Sequence, residues 1–173
     1  PLSTLLAAGA RTELTDRTGR TALWYAAQAG ELAALRLLVQ HGARADAADV
    51  TGLTPLAAAC LSGKIETVTW LAAHGARIDS RTRSGDTPLL LAASMVHTDV
   101  VEKLLALHAD KDARNALGDT ALIIASRNGQ LALVRQLLAA GAATDLRDRD
   151  RFTAADVAAA RSFSDIVAQL HGG

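Results

Sequence analysis

Thr54-Pro55-Leu56-Ala57-Ala58-Ala59 is one copy of a pattern that the chain repeats every 33 residues. Thr21, Thr54, Thr87, Thr120 and Thr153 share the step, and so do Gly19, Gly52, Gly85 and Gly118. Leu23, Leu56, Leu89 and Leu122 follow it, as do Ala26, Ala59, Ala92, Ala125 and Ala158. Several residue types locked to one spacing are the mark of an array of small stacked units.

Each unit has a physical reading. Asp16, Asp49, Asn115 and Asp148 are turn starters whose side chains can accept nearby backbone N–H groups, and in the first four units a Gly three residues later frees φ. The Thr column suits helix N-caps, and Pro55 and Pro88 suit the first helical position, where a missing N–H removes no bond. A short first helix is expected over Leu23 to Gln28, broken by Gly30 and, in later units, by Gly63 and Gly129. A second helix has apolar residues at helical spacing, as in Leu32, Leu35, Leu38 and in Ile65, Val68, Leu71, before Gly42, Gly75 and Gly141 end it. One such unit cannot bury both its helices alone, so neighbours must stack. The Ala column then spaces adjacent units: a larger residue there is expected to cost about 1 to 3 kcal/mol. Truncating Leu56 or Leu104 is expected to cost about 2 to 5 kcal/mol.

Thr54-Pro55-Leu56-Ala57-Ala58-Ala59 and Thr87-Pro88-Leu89-Leu90-Leu91-Ala92 resemble the Thr-Pro-Leu-His-x-Ala signature of ankyrin repeats. Gly129-Gln130-Leu131 and Leu137-Leu138-Ala139-Ala140-Gly141-Ala142 resemble that family's second-helix and loop segments. The resemblance implies an all-α ankyrin-repeat solenoid of helix-turn-helix units with β-turn tips, forming one domain over residues 1–173. Full units are expected at 16–48, 49–81, 82–114 and 115–147, with a capping unit at 148–173. Residues 1–15 read as the second half of an earlier unit, because Leu5 and Gly9 fall 33 before Leu38 and Gly42. Three departures from the family pattern stand out. Trp24 replaces its His, which questions the usual hydrogen bonding around Thr21; Val96 replaces the Gly of the third helix break; His108 replaces a loop Gly.

Composition narrows the function. Half of the 173 residues are hydrophobic, and 18 Lys and Arg balance 18 Asp and Glu, so the chain has no charge excess to attract nucleic acid or an acidic membrane surface. Aromatics make up 3%, which leaves alanine to supply much of the apolar content. The lone Cys60 excludes an internal disulfide and a cysteine-based zinc cluster and reads as a small core hydrophobe. No apolar stretch approaches the roughly 18 residues of a spanning helix. The start at Pro1 suggests that chain has been removed upstream, and residues 1–15, lacking a first helix, suggest the same. These features leave the location open, with the cytoplasm favoured.

No Gly-x-Ser-x-Gly, His-Glu-x-x-His, phosphate-binding Gly-Lys-Ser/Thr or Cys-x-x-Cys motif occurs. His41, His74 and His97 sit on lattice columns and read as family positions, not ligands. Asp145, Asp148 and Asp150 alternate with Arg147, Arg149 and Arg151, which reads as a solvated, self-neutralising turn. No enzyme activity, cofactor or metal is expected. Two rivals are an enzyme or metalloprotein with a cryptic site, and nucleic-acid binding through Arg77, Arg81 and Arg83.

The resemblance implies recognition of a protein partner, as a scaffold, adaptor or inhibitor, through the turn tips and first-helix ends that line a concave face in the family. The residues expected there are Arg17, Arg20, Trp24, Val50, Leu53, Leu61, Asp86, Met95, Leu117, Asp119, Arg127 and Asn128. Apolar Val50, Leu53, Leu61, Met95 and Leu117 gather in the middle, with Arg17 and Arg20 to one side and Asp86 and Asp119 to the other, giving an apolar centre with a polar rim. Trp70 reads as semi-exposed on a second helix, whereas Tyr25 shares an apolar column with Ala58, Leu91, Ile124 and Val157. No nucleic acid or membrane span is expected, and the isolated chain is expected to be a monomer.

Overall fold

A computed structural model describes residues 2–172. Among these it contains eleven helices and no strand. A partial start, α1 (Leu2–Ala7), is followed by five helix pairs: α2 (Ala22–Ala29) with α3 (Leu32–Gln40), α4 (Pro55–Leu61) with α5 (Ile65–Ala73), α6 (Pro88–Ser94) with α7 (Thr98–Ala106), α8 (Ala121–Arg127) with α9 (Leu131–Ala139), and α10 (Ala154–Ala160) with α11 (Ser164–His171). Each first helix packs on the next, from α2 through α4, α6 and α8 to α10, and each also packs on its own second helix.

Local chemistry explains why the pattern folds this way. All five lattice threonines are extended N-caps whose hydroxyls accept the backbone N–H three residues on, and in the last unit Asp156 answers Thr153 in a reciprocal box. Trp24 in place of the family's His does not disturb the first of these, since its own N–H is the one Thr21 caps, at 3.2 Å. The Leu and Ala columns are buried along the whole stack. Small Ala side chains let successive first helices approach closely, and the leucines fill the space between rows.

Two glycines show what the lattice demands. At Gly63, φ is 66° and a Cβ would stand 2.7 Å from the His97 ring; at Gly52, φ is 85° and a Cβ would meet the Thr82 backbone at 3.0 Å. The third unit breaks its helix without glycine. Val96 adopts φ 63° and keeps the turn, donating to the Ala93 carbonyl at 3.2 Å while His97 donates to that of Ala92 at 3.0 Å. A β-branched residue in this region costs about 1 to 2 kcal/mol. His108, Arg151 and Ser162 take the same conformation at other lattice glycine sites.

In α1 it is Leu6 that is buried, while Leu5 stands exposed although its column partner Leu38 is buried. Among the described residues the helix packs on α3 without a first helix of its own unit, which leaves Leu5 on an uncovered side.

Candidate functional site

The turn tips and first-helix ends form one face. Four backbone bonds tie successive tips together: Val50, Arg83, Ala116 and Arg149 donate to the carbonyls of Thr18, Thr51, Ser84 and Leu117 at 2.7 to 2.9 Å. Within the tips, one carboxylate or amide oxygen of each Asx starter closes the turn. Asp49 accepts from Thr51 and Leu53, at 2.8 and 3.0 Å, and Asn115 accepts from Leu117 and Asp119, at 2.9 and 3.0 Å. In the third unit Thr82 does this work with its hydroxyl, accepting the Asp86 N–H at 3.0 Å.

The charged residues expected on this face are largely engaged within the chain. Arg20 donates to Asp49 at 3.3 Å, with its guanidinium carbon 4.2 Å from the Trp24 ring centre. Asp86 accepts from the Asn115 amide at 2.9 Å. Asp119 takes a forked pair of bonds from Arg127, whose guanidinium also reaches Asp148 at 3.1 Å. The side chains of Asp119 and Asp148 are 5% and 7% exposed. Bonding to Asp119 leads the effects that raise the pKa of Arg127, against the lowering effect of burial. Arg20, Asp86 and Arg127 thus each bond a residue of the following unit: Asp49, Asn115 and Asp148. The Asp148 position also corrects the view of residues 145–151 as a solvated run, because the Phe152 N–H and Arg127 hold that carboxylate inside.

Two aromatics exchange the roles their columns suggest. Trp24 is 1% exposed and its indole N–H donates to the Leu53 carbonyl at 3.1 Å, so it is a core residue beneath the face. Tyr25 is 45% exposed, with its hydroxyl donating to Asp16 at 2.7 Å. That bond is the largest influence holding the Asp16 carboxyl below its ordinary range. The other residues expected on the face divide by exposure. Arg17, Val50, Met95, Leu117 and Asn128 are exposed; Leu53 and Leu61 are half-buried. Phe152, on the last tip, is half exposed and joins them.

Other staples escape a reading by residue type. Glu13, Asp46, Asp79 and Asp112 stand 33 apart and accept the backbone N–H groups of Arg44, Arg77, Asp110 and Ala143, each 31 residues on, at 2.8 to 3.1 Å. Arg81 bridges the Gly85 and Arg114 carbonyls, and Arg114 bridges those of Gly118 and Arg147. The regular acidic column was the available signal. Arg77 and Arg81, considered above as a nucleic-acid contact, are thus committed to Asp46 and to backbone carbonyls, while Arg83 is exposed.

On the second helices, Trp70 is half-buried and stacks on His74, with ring centres 3.7 Å apart. His41 and His74 bond the carbonyls of Leu37 and Trp70 one turn back, and His97 meets the Leu61 carbonyl at 3.2 Å. Among the described residues no group of three or more His, Cys, Asp or Glu side chains is placed to hold a metal ion, and no helix is long and apolar enough to cross a membrane. Cys60 is buried, which pushes its thiol pKa up and leaves it un-ionised.

No curated protein matches the chain. A family model described as ankyrin repeats (3 copies) matches residues 2–82, 49–115 and 89–172. Ankyrin repeats are generally protein–protein interaction modules. With the 33-residue lattice, the capped helix pairs and this match over nearly its whole length, the chain belongs to the ankyrin repeat family.

Proposed function

We propose that this protein is a recognition module, a scaffold, adaptor or inhibitor without catalytic activity, that binds a protein partner through the face made by its turn tips and first-helix ends. One observation carries the reading. Tyr25, Val50, Met95, Leu117 and Phe152, all large and apolar, stand about half exposed on that face, whereas the exposed positions of α3, α5, α7, α9 and α11 are Arg36, Glu66, Thr69, Asp99, Glu102, Arg135 and similar polar or small residues; the other exposed large apolar residues are Leu5 on α1, Leu14 and Val96. Scattered apolar residues are ordinary on a surface, but their segregation to one side of a stack is what an interface core requires. The staples beneath hold the tips rigid, which lowers the ordering cost of binding.

The proposed contact set keeps Arg17, Val50, Leu53, Leu61, Met95, Leu117 and Asn128, adds Tyr25 and Phe152, and assigns Arg20, Asp86, Asp119 and Arg127 to supporting the face from below. The test is affinity capture from a lysate of the source organism, comparing wild type with a Val50→Arg, Met95→Glu, Leu117→Arg variant of unchanged helical content. The variant should lose proteins that wild type retains; if it keeps every one of them, the assignment to this face is wrong.

A further inference from the structure

At the C-terminal end of the same face lies a hollow of about 430 Å³. Leu117, Phe152, Val157 and Ala160 supply its apolar lining, and the Asp119–Arg127–Asp148 cluster forms its buried part. That cluster has two carboxylates against one guanidinium, so it has an unbalanced negative charge where water is scarce. Asp156, oriented by the Thr153 N–H at 2.8 Å and the Thr153 hydroxyl at 2.7 Å, also lines the hollow, as do Asp150, Arg149 and Arg161. All four are exposed, where solvent and salt screen them, and with two of each sign they leave the buried cluster to set the charge of the hollow.

We infer that this hollow receives an arginine or lysine side chain of the protein partner. The inference rests on the recognition role proposed above and names what this end of the face would read. Three features select such a side chain over an anion or a purely apolar one. Its head answers the surplus carboxylate charge of the cluster. Its alkyl stem matches the Leu117, Val157 and Ala160 walls. The half-exposed Phe152 ring offers a face for a cation.

The test uses amide NMR of the purified protein titrated with the tripeptide amide acetyl-Leu-Arg-Leu, and in parallel with its citrulline and glutamate counterparts. The arginine peptide should give saturable shifts confined to the amides around Leu117, Arg149, Phe152 and Val157, and the uncharged citrulline peptide should bind roughly tenfold more weakly. Phe152→Ala should weaken the arginine peptide about fivefold, whereas Arg36→Ala, on α3 and outside the proposed contact set, should not change it. Both side chains are exposed, so a folded spectrum is expected for each variant. Equal binding of the citrulline or glutamate peptide, or shifts spread over the whole surface, would overturn the inference. If partner capture still depends on Val50 and Met95 while the peptide fails, only the hollow is misassigned. If the peptide binds as expected but the lysate experiment shows no dependence on the face, the broader reading is the one that fails.

Discussion

The two ends of the stack solve one electrostatic problem in opposite ways. At the N-terminal end the residue after the turn glycine is Arg20, and it pairs directly with Asp49, the starter of the next turn. Three units later the same two columns hold Asp119 and Asp148, two acids that would repel. Arg127, from the end of α8, enters between them and bonds both. Between these ends Asp86 faces Asn115, where the starter has become an amide able to donate. A column residue in this repeat therefore cannot be judged as a contact or a staple by its own chemistry; the residue 29 positions on decides it.

The comparison predicts a graded set of effects. The largest belongs to Trp24, which closes the N-terminal staple from below: Trp24→Ala should cost about 3 to 5 kcal/mol in urea denaturation. A much smaller loss would mean that the indole is not packed between units. Next comes the C-terminal cluster. Arg127→Leu leaves two buried carboxylates facing each other and should cost about 2 to 3 kcal/mol, most of it recovered when Asp119→Asn and Asp148→Asn are added. By contrast, Arg20→Leu should lower the thermal midpoint only slightly, because Asp49 keeps its bonds from Thr51 and Leu53. Equal losses at the two ends would erase the distinction.

The middle of the stack allows a transplant. Asn115→Asp should cost roughly 1 kcal/mol by setting a second carboxylate against Asp86. Ser94 occupies the column of Arg127, so adding Ser94→Arg should restore the loss if the three-residue arrangement is transferable. Thermal melts of the single and double variants give the answer directly.

The smallest effect is in pH. Burial raises the pKa of Asp49, but the bonds from Thr51, Leu53 and Arg20 outweigh it and leave the group below its ordinary value. The Tyr25 hydroxyl lowers that of Asp16, and the Thr153 backbone N–H lowers that of Asp156. A carboxylate with a depressed folded pKa contributes stability that is present above its unfolded pKa and is lost as pH falls through the folded one. Melting temperature should therefore hold steady down to about pH 4 and fall below it. Asp49→Asn keeps a turn acceptor, as Asn115 does, and should make that fall shallower.

Much of the architecture could be seen in the residues themselves. The Thr caps and helix-breaking glycines act within a few positions of themselves, and the Leu and Ala columns, which pack between units, repeat one residue type at every step, so a 33-residue spacing exposes both. The face was harder. Trp24 shares its column with Ala57, Leu90 and Ile123, all buried, but also with Asp156 in the last unit, and that single charge suggested a surface position. Asp156 is exposed because no further unit packs against it among the described residues. Tyr25 misleads in the other direction: its column is apolar, yet a phenol is long enough to carry its hydroxyl out to Asp16. Val96 shows that even a lattice glycine is a preference, since a β-branched residue takes the same left-handed φ and keeps the turn's hydrogen bonds.

By itself the sequence determined the repeat, its period, the helix ends and the small-residue spacing, because the helix ends follow from local backbone preferences and the packing columns recur with the same residue type in every unit. Only the tertiary structure decided which charges are spent between units and which apolar groups remain exposed. Many of those outcomes depend on pairs 29 to 33 residues apart, such as Arg20 with Asp49, Asp86 with Asn115 and Arg81 with the Arg114 carbonyl, brought within bonding distance by stacking. An ion pair or an exposed ring is a property of that proximity, and a single residue's identity does not contain it.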